Sequence, residues 1–339
     1  MWNQLAHLGR CGRCRALARQ LENNARVESE LPRGAFRVSS ALAAGVTRGQ
    51  LRSRQLVSPF YGARASSTPE DTVARCRAYL PLLRPGSVFS HVTAAILWGM
   101  PLPLAIDDAL VHVTAPVGVR APAGRGVRGH SAGLTTFPHV SVGGLPVSGP
   151  VATWMQLSTL LDWRDLAAVG DFIVTGRPLE NLLPLAEMAD LRRAIESAGR
   201  TRGARARSRA LPAVGVGPYS RPESLSGLLF SMGGLPPALI NEQVNDERGS
   251  FLALPDRIWP DYRVAYEYEG DSHREKRRYR SDVHRVERLV DHDWTGAGRR
   301  AAPAKPGRGG GGRGAGSRLS RASWDGKVRE LRHFVPFGR

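Results

Sequence analysis

Three acidic residues in the carboxy-terminal third, Asp256, Glu267 and Glu269, have the types and spacing from which metal-dependent hydrolysis is built. Glu267 and Glu269 are two apart in Arg263–Glu269, which reads as a strand, so both side chains project from one face. Asp256 follows Pro255 near the end of the preceding strand-like segment, Phe251–Ile258. A hairpin between the two segments can bring Asp256 beside Glu267. Carboxylates that close repel one another, and a divalent cation is the usual way to keep them ionised together. Such a cation polarises a phosphoryl oxygen and generates hydroxide from bound water near neutral pH. Mg2+ (or Mn2+) suits an all-oxygen ligand set. The spacing alone is weak, because solvent-facing acids two apart on a strand are common.

The elements that must position these acids have a recognisable order. Glu223–Met232 reads as an amphipathic helix, with Leu225, Leu228, Leu229 and Met232 at helical spacing. Leu239–Asn245 and Phe251–Ile258 read as strands joined by the turn Asp246-Glu247-Arg248-Gly249. The turn Trp259-Pro260-Asp261-Tyr262 leads into the third strand, in which Val264, Tyr266 and Tyr268 face away from the acids. Tyr279–Val290 is a second helix, with Tyr279, Val283, Val286 and Leu289 on one side. The expected core is helix, three-stranded meander, helix.

This combination resembles the PD-(D/E)xK nucleases, in the branch related to the very-short-patch mismatch endonucleases. The resemblance rests on Pro255-Asp256, Trp259-Pro260, Glu267-Tyr268-Glu269-Gly270 with His273, and Asp282 with Arg285 in the last helix. It covers roughly residues 220–295. It implies Asp256 and Glu267 as metal ligands, His273 as a general acid or base or a phosphate contact, and Glu223, Asp282 and Arg285 in orienting roles. Glu269 stands where many relatives have Lys, which leaves the water-activating role of that Lys unassigned. A weaker similarity, to proteins with an abortive-infection-type, antitoxin-like amino-terminal region, rests on three stretches: Ala35–Val38 through Pro59–Gly62, Ser90–Ala95 and Gly99–Pro103.

Charge and composition bound what such a site could serve. There are 48 Lys and Arg against 30 Asp and Glu, a formal charge of +18, which favours a polyanionic partner. DNA is the expected partner, with RNA open and a homodimer compatible. No apolar run approaches the ~20 residues of a membrane span, and no secretory signal is visible, so a cytoplasmic address and no membrane partner are expected. Cys11 and Cys14 form a lone CxxC without a second pair, which falls short of a zinc framework. His91, His112 and His130 lie far apart in sequence and read as structural.

The expected fold class is α/β (α+β), with a leader over 1–32 and a helix-turn-helix or winged-helix-like module over 33–66. In that module Val38–Ala44 and Arg48–Arg54 form the helices, and Arg48, Arg52 and Arg54 are placed for nucleic acid. A mixed middle domain (67–198), a basic linker (199–220) and the nuclease-like αβββα core (221–295) follow. The Gly/Arg-rich segment 296–322 cannot supply the strand the fold requires, since Gly offers nothing to pack, and a tail (323–339) ends the chain. That segment reads either as a basic insertion or as a stretch translated in a shifted frame. The functional expectation is a DNA-binding endonuclease-like protein. The alternative is a non-enzymatic, antitoxin-like DNA-binding regulator with a vestigial nuclease fold.

Overall fold

The structure is a computed structural model describing residues 31–32, 34–132, 139–177, 180, 183–269, 288–289 and 291–300; at 139, 269 and 296–300 the backbone alone is described. It combines helices with several sheets, as the mixed α/β reading expects. Contacts divide the chain into two units, one of residues 1–99 with 104–153, the other of 100–103 with 154–339. The expected middle domain is therefore split near residue 153 rather than kept whole.

The amino-terminal unit opens with strand β1 (Phe36–Arg37), helix α1 (Val38–Ala43) and, much later, strand β2 (Ala63–Arg64), which pairs antiparallel with β1. Between them, the expected second helix over 48–54 is a single 3-10 turn, Gln50–Arg52. Thr47 caps it reciprocally: its hydroxyl accepts from Gln50 N–H, and Gln50 Oε1 accepts from Thr47 N–H. Extended backbone at Ser53 stops further propagation. Arg48, Arg52 and Arg54 are all exposed around it.

Helix α2 (Thr72–Tyr79) is capped by Asp71, whose carboxylate accepts from Ala74 N–H. Strand β3 (Val88–Phe89) leads into helix α3 (His91–Trp98), ended by Gly99 in the left-handed conformation a helix stop requires. Strands β4 (Val111–Pro116), β5 (Ala123–Gly124), β6 (Val127–Ala132), β7 (His139–Val142) and β8 (Leu145–Ser148) complete a six-stranded sheet in the order β5-β6-β4-β3-β8-β7. Strand β6 escapes the alternation rule because its sequence, VRGHSA, carries little apolar signal. The core beneath the sheet gathers Phe89, Val111, Val113, Leu145 and Val147, with Phe60 and Tyr79 edge to face.

Helix α4 (Pro150–Leu157) carries the chain into the second unit, where helix α5 (Trp163–Thr175) is nearly all buried. Helix α6 (Met188–Ala198) starts on a capping box of Glu187 and Asp190. The arginine run read as a linker forms helix α7 (Ala204–Ala210) instead. Arg207 explains the difference: its guanidinium is 2% exposed and donates to Ser158 Oγ, Arg202 O and Thr201 Oγ1. Three acceptors take the terminal nitrogens of a buried cation that hydropathy alone assigns to solvent, leaving Nε buried without a partner.

Helix α8 (Arg221–Met232) begins at Ser220, whose hydroxyl accepts from Glu223 N–H, with Pro222 in its first turn. The expected strand 239–245 divides into β9 (Leu239–Ile240) and β10 (Val244–Asn245), because Asn241 takes a left-handed φ of 52° between them. The expected strand 251–258 likewise divides into β11 (Phe251–Ala253) and β12 (Arg257–Trp259) around Pro255, which has no ladder donor. Strands β10 and β11 form a separate hairpin. Strand β13 (Val264–Glu269) pairs antiparallel with β12.

Strand β14 (Thr295–Arg300) corrects the reading of the Gly/Arg-rich segment. It lies parallel to β13 over six residue pairs, from Val264↔Thr295 to Glu269↔Arg300, completing the sheet β14-β13-β12-β9. A ladder is made by backbone N–H and C=O groups, and the glycines supply them without a side chain. The strand reaches residue 300, past the expected domain end at 295.

Candidate functional site

One face of this sheet packs Trp259, Val264 and Tyr266 against Phe230 of α8; the other packs Ile258 and Ala265 with Leu289 and Val244. Asp256 stands one residue before β12. The antiparallel register pairs Arg257 with Tyr266, so continuing it by one residue sets Asp256 opposite Glu267. Residues facing each other across an antiparallel pair point to the same side. Tyr268 N–H closes the arrangement by donating to Asp256 Oδ2 over 2.7 Å.

Glu223 joins the two from the first turn of α8. Its Oε2 accepts from Tyr219 N–H at 2.9 Å and from Asn241 Nδ2 at 3.4 Å, and its Oε1 accepts from Ser220 Oγ at 2.7 Å. Asn241 also donates its backbone N–H to the main-chain Asp256 O at 3.1 Å, so one residue ties the Asp256 backbone to the Glu223 carboxylate. Its left-handed backbone, which Asn tolerates better than most residues, makes this double reach feasible.

Electrostatics follow from the crowding. Burial pushes the Asp256 carboxyl from 3.8 up to about 7, and Glu223 and Glu267 add to the rise, against the pull of the Tyr268 N–H and Arg257. Arg257 is buried at 7% exposure on the α8 side of the sheet and donates Nη2 to Glu223 O at 3.0 Å. Gly227 is small for this reason: a Cβ there would lie 2.1 Å from Arg257 Nη2. Asp171 on α5 is also near this cation; burial raises it to about 6, and Gly215 N–H donates to its Oδ1 at 2.8 Å. Arg257, Asp171 and Asn241 carry no motif in the sequence. The basic residue directly after the Pro-Asp pair is the one local hint.

The structure thus brings together Asp256, Glu267 and Glu223. Glu269 ends β13 with its side chain outside the described residues, as are His273, Asp282 and Arg285 entirely. Arg48, Arg52 and Arg54 belong to the other unit.

A second constellation was not legible in the sequence. His91, His112 and His130 each offer a ring nitrogen, and these three atoms lie within 4.8 Å of one another. Among the described residues this is the one group of three or more His, Cys, Asp or Glu side chains so tightly gathered; the acids around Asp256 are looser. The sheet explains the convergence. Strand β6 runs parallel to β4 with His112↔Arg128 and Thr114↔His130, which places His112 and His130 on the same face, two residues out of step. Ser90 N–H donates to His112 O, and Thr93 Oγ1 accepts from His112 N–H at 2.8 Å, tying the start of α3 and His91 to β4. The His91 and His130 rings stack at 3.6 Å, and His130 Nε2 lies 3.1 Å from His112 Nδ1. Burial lowers His91 to about 2 and His112 to about 4, with Arg128 adding to both.

No protein family and no curated protein matches the chain. Among solved structures it is similar to the RV2827C protein from Mycobacterium tuberculosis, at 20% identity over 57% of this chain and 76% of that chain, with a TM-score of 0.38. That likeness is too slight to assign a fold by.

Proposed function

We propose that the carboxy-terminal unit hydrolyses phosphodiester bonds of DNA with a divalent cation bound at Asp256 and Glu267. The observation that carries this reading is the placement of Asp256 opposite Glu267, with Glu223 near enough to raise the Asp256 carboxyl. The donor set fits a hard cation such as Mg2+ or Mn2+, since all three side chains offer oxygen alone. A carboxyl pushed up to about 7, by burial first and then by Glu223 and Glu267, also fits a site that gains from added positive charge. When bound, such a cation lowers the pKa of water and offsets charge developing on the phosphate.

The chain's own residues do the positioning. Tyr268 N–H and Asn241 hold Asp256 and Glu223 in fixed orientation. Arg257 balances the acids from behind the sheet, without facing the substrate side. The formal charge of +18 favours a phosphate backbone as substrate. The resemblance to PD-(D/E)xK nucleases assigns the remaining roles to His273, Asp282 and Arg285, and leaves Glu269 in the place of the usual Lys without a role of its own.

Purified protein incubated with supercoiled plasmid should nick it with Mg2+, stop with chelator, and lose the activity in Asp256→Asn. Equal nicking by Asp256→Asn, or none by the wild type on DNA or RNA, overturns the reading. The second reading, a DNA-binding regulator without catalysis, is favoured by the exposed Arg48, Arg52 and Arg54 around one capped turn. Salt-dependent duplex binding that survives Asp256→Asn, with no cleavage, would establish it.

A further inference from the structure

We propose that His91, His112 and His130 form a binding site for one transition-metal ion of the Zn2+ class, in the unit that does not carry the acids. Imidazole nitrogen is the donor such ions favour, whereas Mg2+ prefers oxygen. A tetrahedral ion with nitrogens at 2.0–2.1 Å spaces them about 3.3 Å apart. His112 Nδ1 and His130 Nε2 already stand at 3.1 Å, close to one edge of that tetrahedron. The third nitrogen is within 4.8 Å of both, and the His91 ring closes the set by turning out of its stack on His130.

The surroundings are those of a built site rather than a chance gathering. Ser90 is fully buried, and its Oγ lies 3.0 Å from His91 Nδ1, the kind of orienting partner that metal-ligating imidazoles usually have. Thr93 fixes the backbone of His112. His91 holds a left-handed φ of 51° as the first residue of α3, a costly conformation for a side chain with a Cβ, which swings its ring onto the β4–β6 face. His91 and His112 are 8% and 3% exposed, while His130 is partly exposed. Three protein ligands leave the fourth position of a tetrahedral ion to water or an incoming group, the pattern of sites that exchange ligands rather than of closed structural ones.

Co2+, whose four-coordinate form absorbs strongly in the visible, is the probe. Chelator-stripped full-length protein should take up one equivalent with that spectrum, and Zn2+ should displace it. The Cys11→Ser/Cys14→Ser double variant and Asp256→Asn should keep the intensity and stoichiometry of the four-coordinate spectrum, which separates this site from the CxxC and from the acids. His130→Gln, at the least buried ligand, should weaken uptake by more than about 100-fold, and Ser90→Ala by about 10- to 100-fold. Should His130→Gln fail to fold, Ser90→Ala and the wild-type stoichiometry decide. No four-coordinate uptake by wild type overturns the site, as does its loss in the cysteine variant. Uptake unchanged by both His130→Gln and Ser90→Ala does so too, and leaves the three rings as a packing cluster.

Discussion

The acids of the carboxy-terminal unit and the histidines of the amino-terminal unit are assembled by the same device, same-face positions of neighbouring chain segments joined by a residue from a helix start. Asp256 and Glu267 face each other across β12–β13 with Glu223 from α8; His112 and His130 share a face of β4–β6 with His91 from α3. Burial then drives the two in opposite directions. It raises Asp256 to about 7 and lowers His91 and His112 to about 2 and about 4, so the interior favours the neutral form of each. The Asp256 carboxyl is held toward its protonated form, whereas His91 and His112 are held unprotonated. On the two proposals above, oxygen donors at the one site and nitrogen donors at the other call for different metals.

The largest effect expected of that contrast is catalytic. Asp256→Asn or Glu267→Gln should lower Mg2+-dependent plasmid nicking by more than about 100-fold, since even outer partners of ligands are worth 10- to 100-fold. His130→Gln should leave nicking within about 2-fold, because additivity holds for separate sites. Nicking that fell equally in both variants would merge what the comparison keeps apart.

Thermal stability measured without metal should show the two sites as opposing slopes. The Asp256 carboxyl has a folded pKa above its unfolded value, so its contribution is lost as pH rises from about 4 through about 7, with Glu223, Glu267 and Arg257 facing it. The imidazoles of His91 and His112 have folded values below the ordinary 6.5, so their contribution is lost as pH falls from about 6.5 through about 4, with His130, Arg128 and Asp107 around them. Asp256→Asn should therefore raise the melting temperature at pH 8 by on the order of 5 °C and leave the acid limb alone. An unchanged alkaline limb in that variant would break the argument.

Smaller effects test the supports. Gly227→Ala pushes a methyl group into the Arg257 guanidinium and should cost about 1–3 kcal/mol in denaturant unfolding, whereas Gly249→Ala, in an open turn, should cost less. Replacing Arg52 by Ala should reduce the salt dependence of duplex binding by about one unit of slope, or leave it unchanged if this turn does not touch phosphate.

Local chemistry made much of the second unit legible. The spacing of Leu225, Leu228, Leu229 and Met232 places α8 to within two residues of its start, and the alternation through Tyr266, Glu267 and Tyr268 separates the packed side of β13 from the acid side. The Pro255-Asp256 pair lies close enough to β13 in sequence for a hairpin to be inferred. Strand β14 was misread because composition reports on side chains, while a parallel ladder is a backbone structure. Arg207 was misread because its burial depends on acceptors that composition does not show, Thr201 and Arg202 just before the helix and Ser158 far off in sequence.

By itself, then, the sequence determined the mixed helix and strand content and the positive charge. These are properties of neighbouring residues and of period. Only the tertiary structure decided that Arg257 lies among Asp171, Glu223 and Asp256, and that three histidines spread over 40 positions meet on one sheet face. A parallel strand pair carries no short-range signature, because its partners are joined through a long crossover and register is set by packing. The amino acids name their chemistry locally, and the sheet order chooses which of them come within reach.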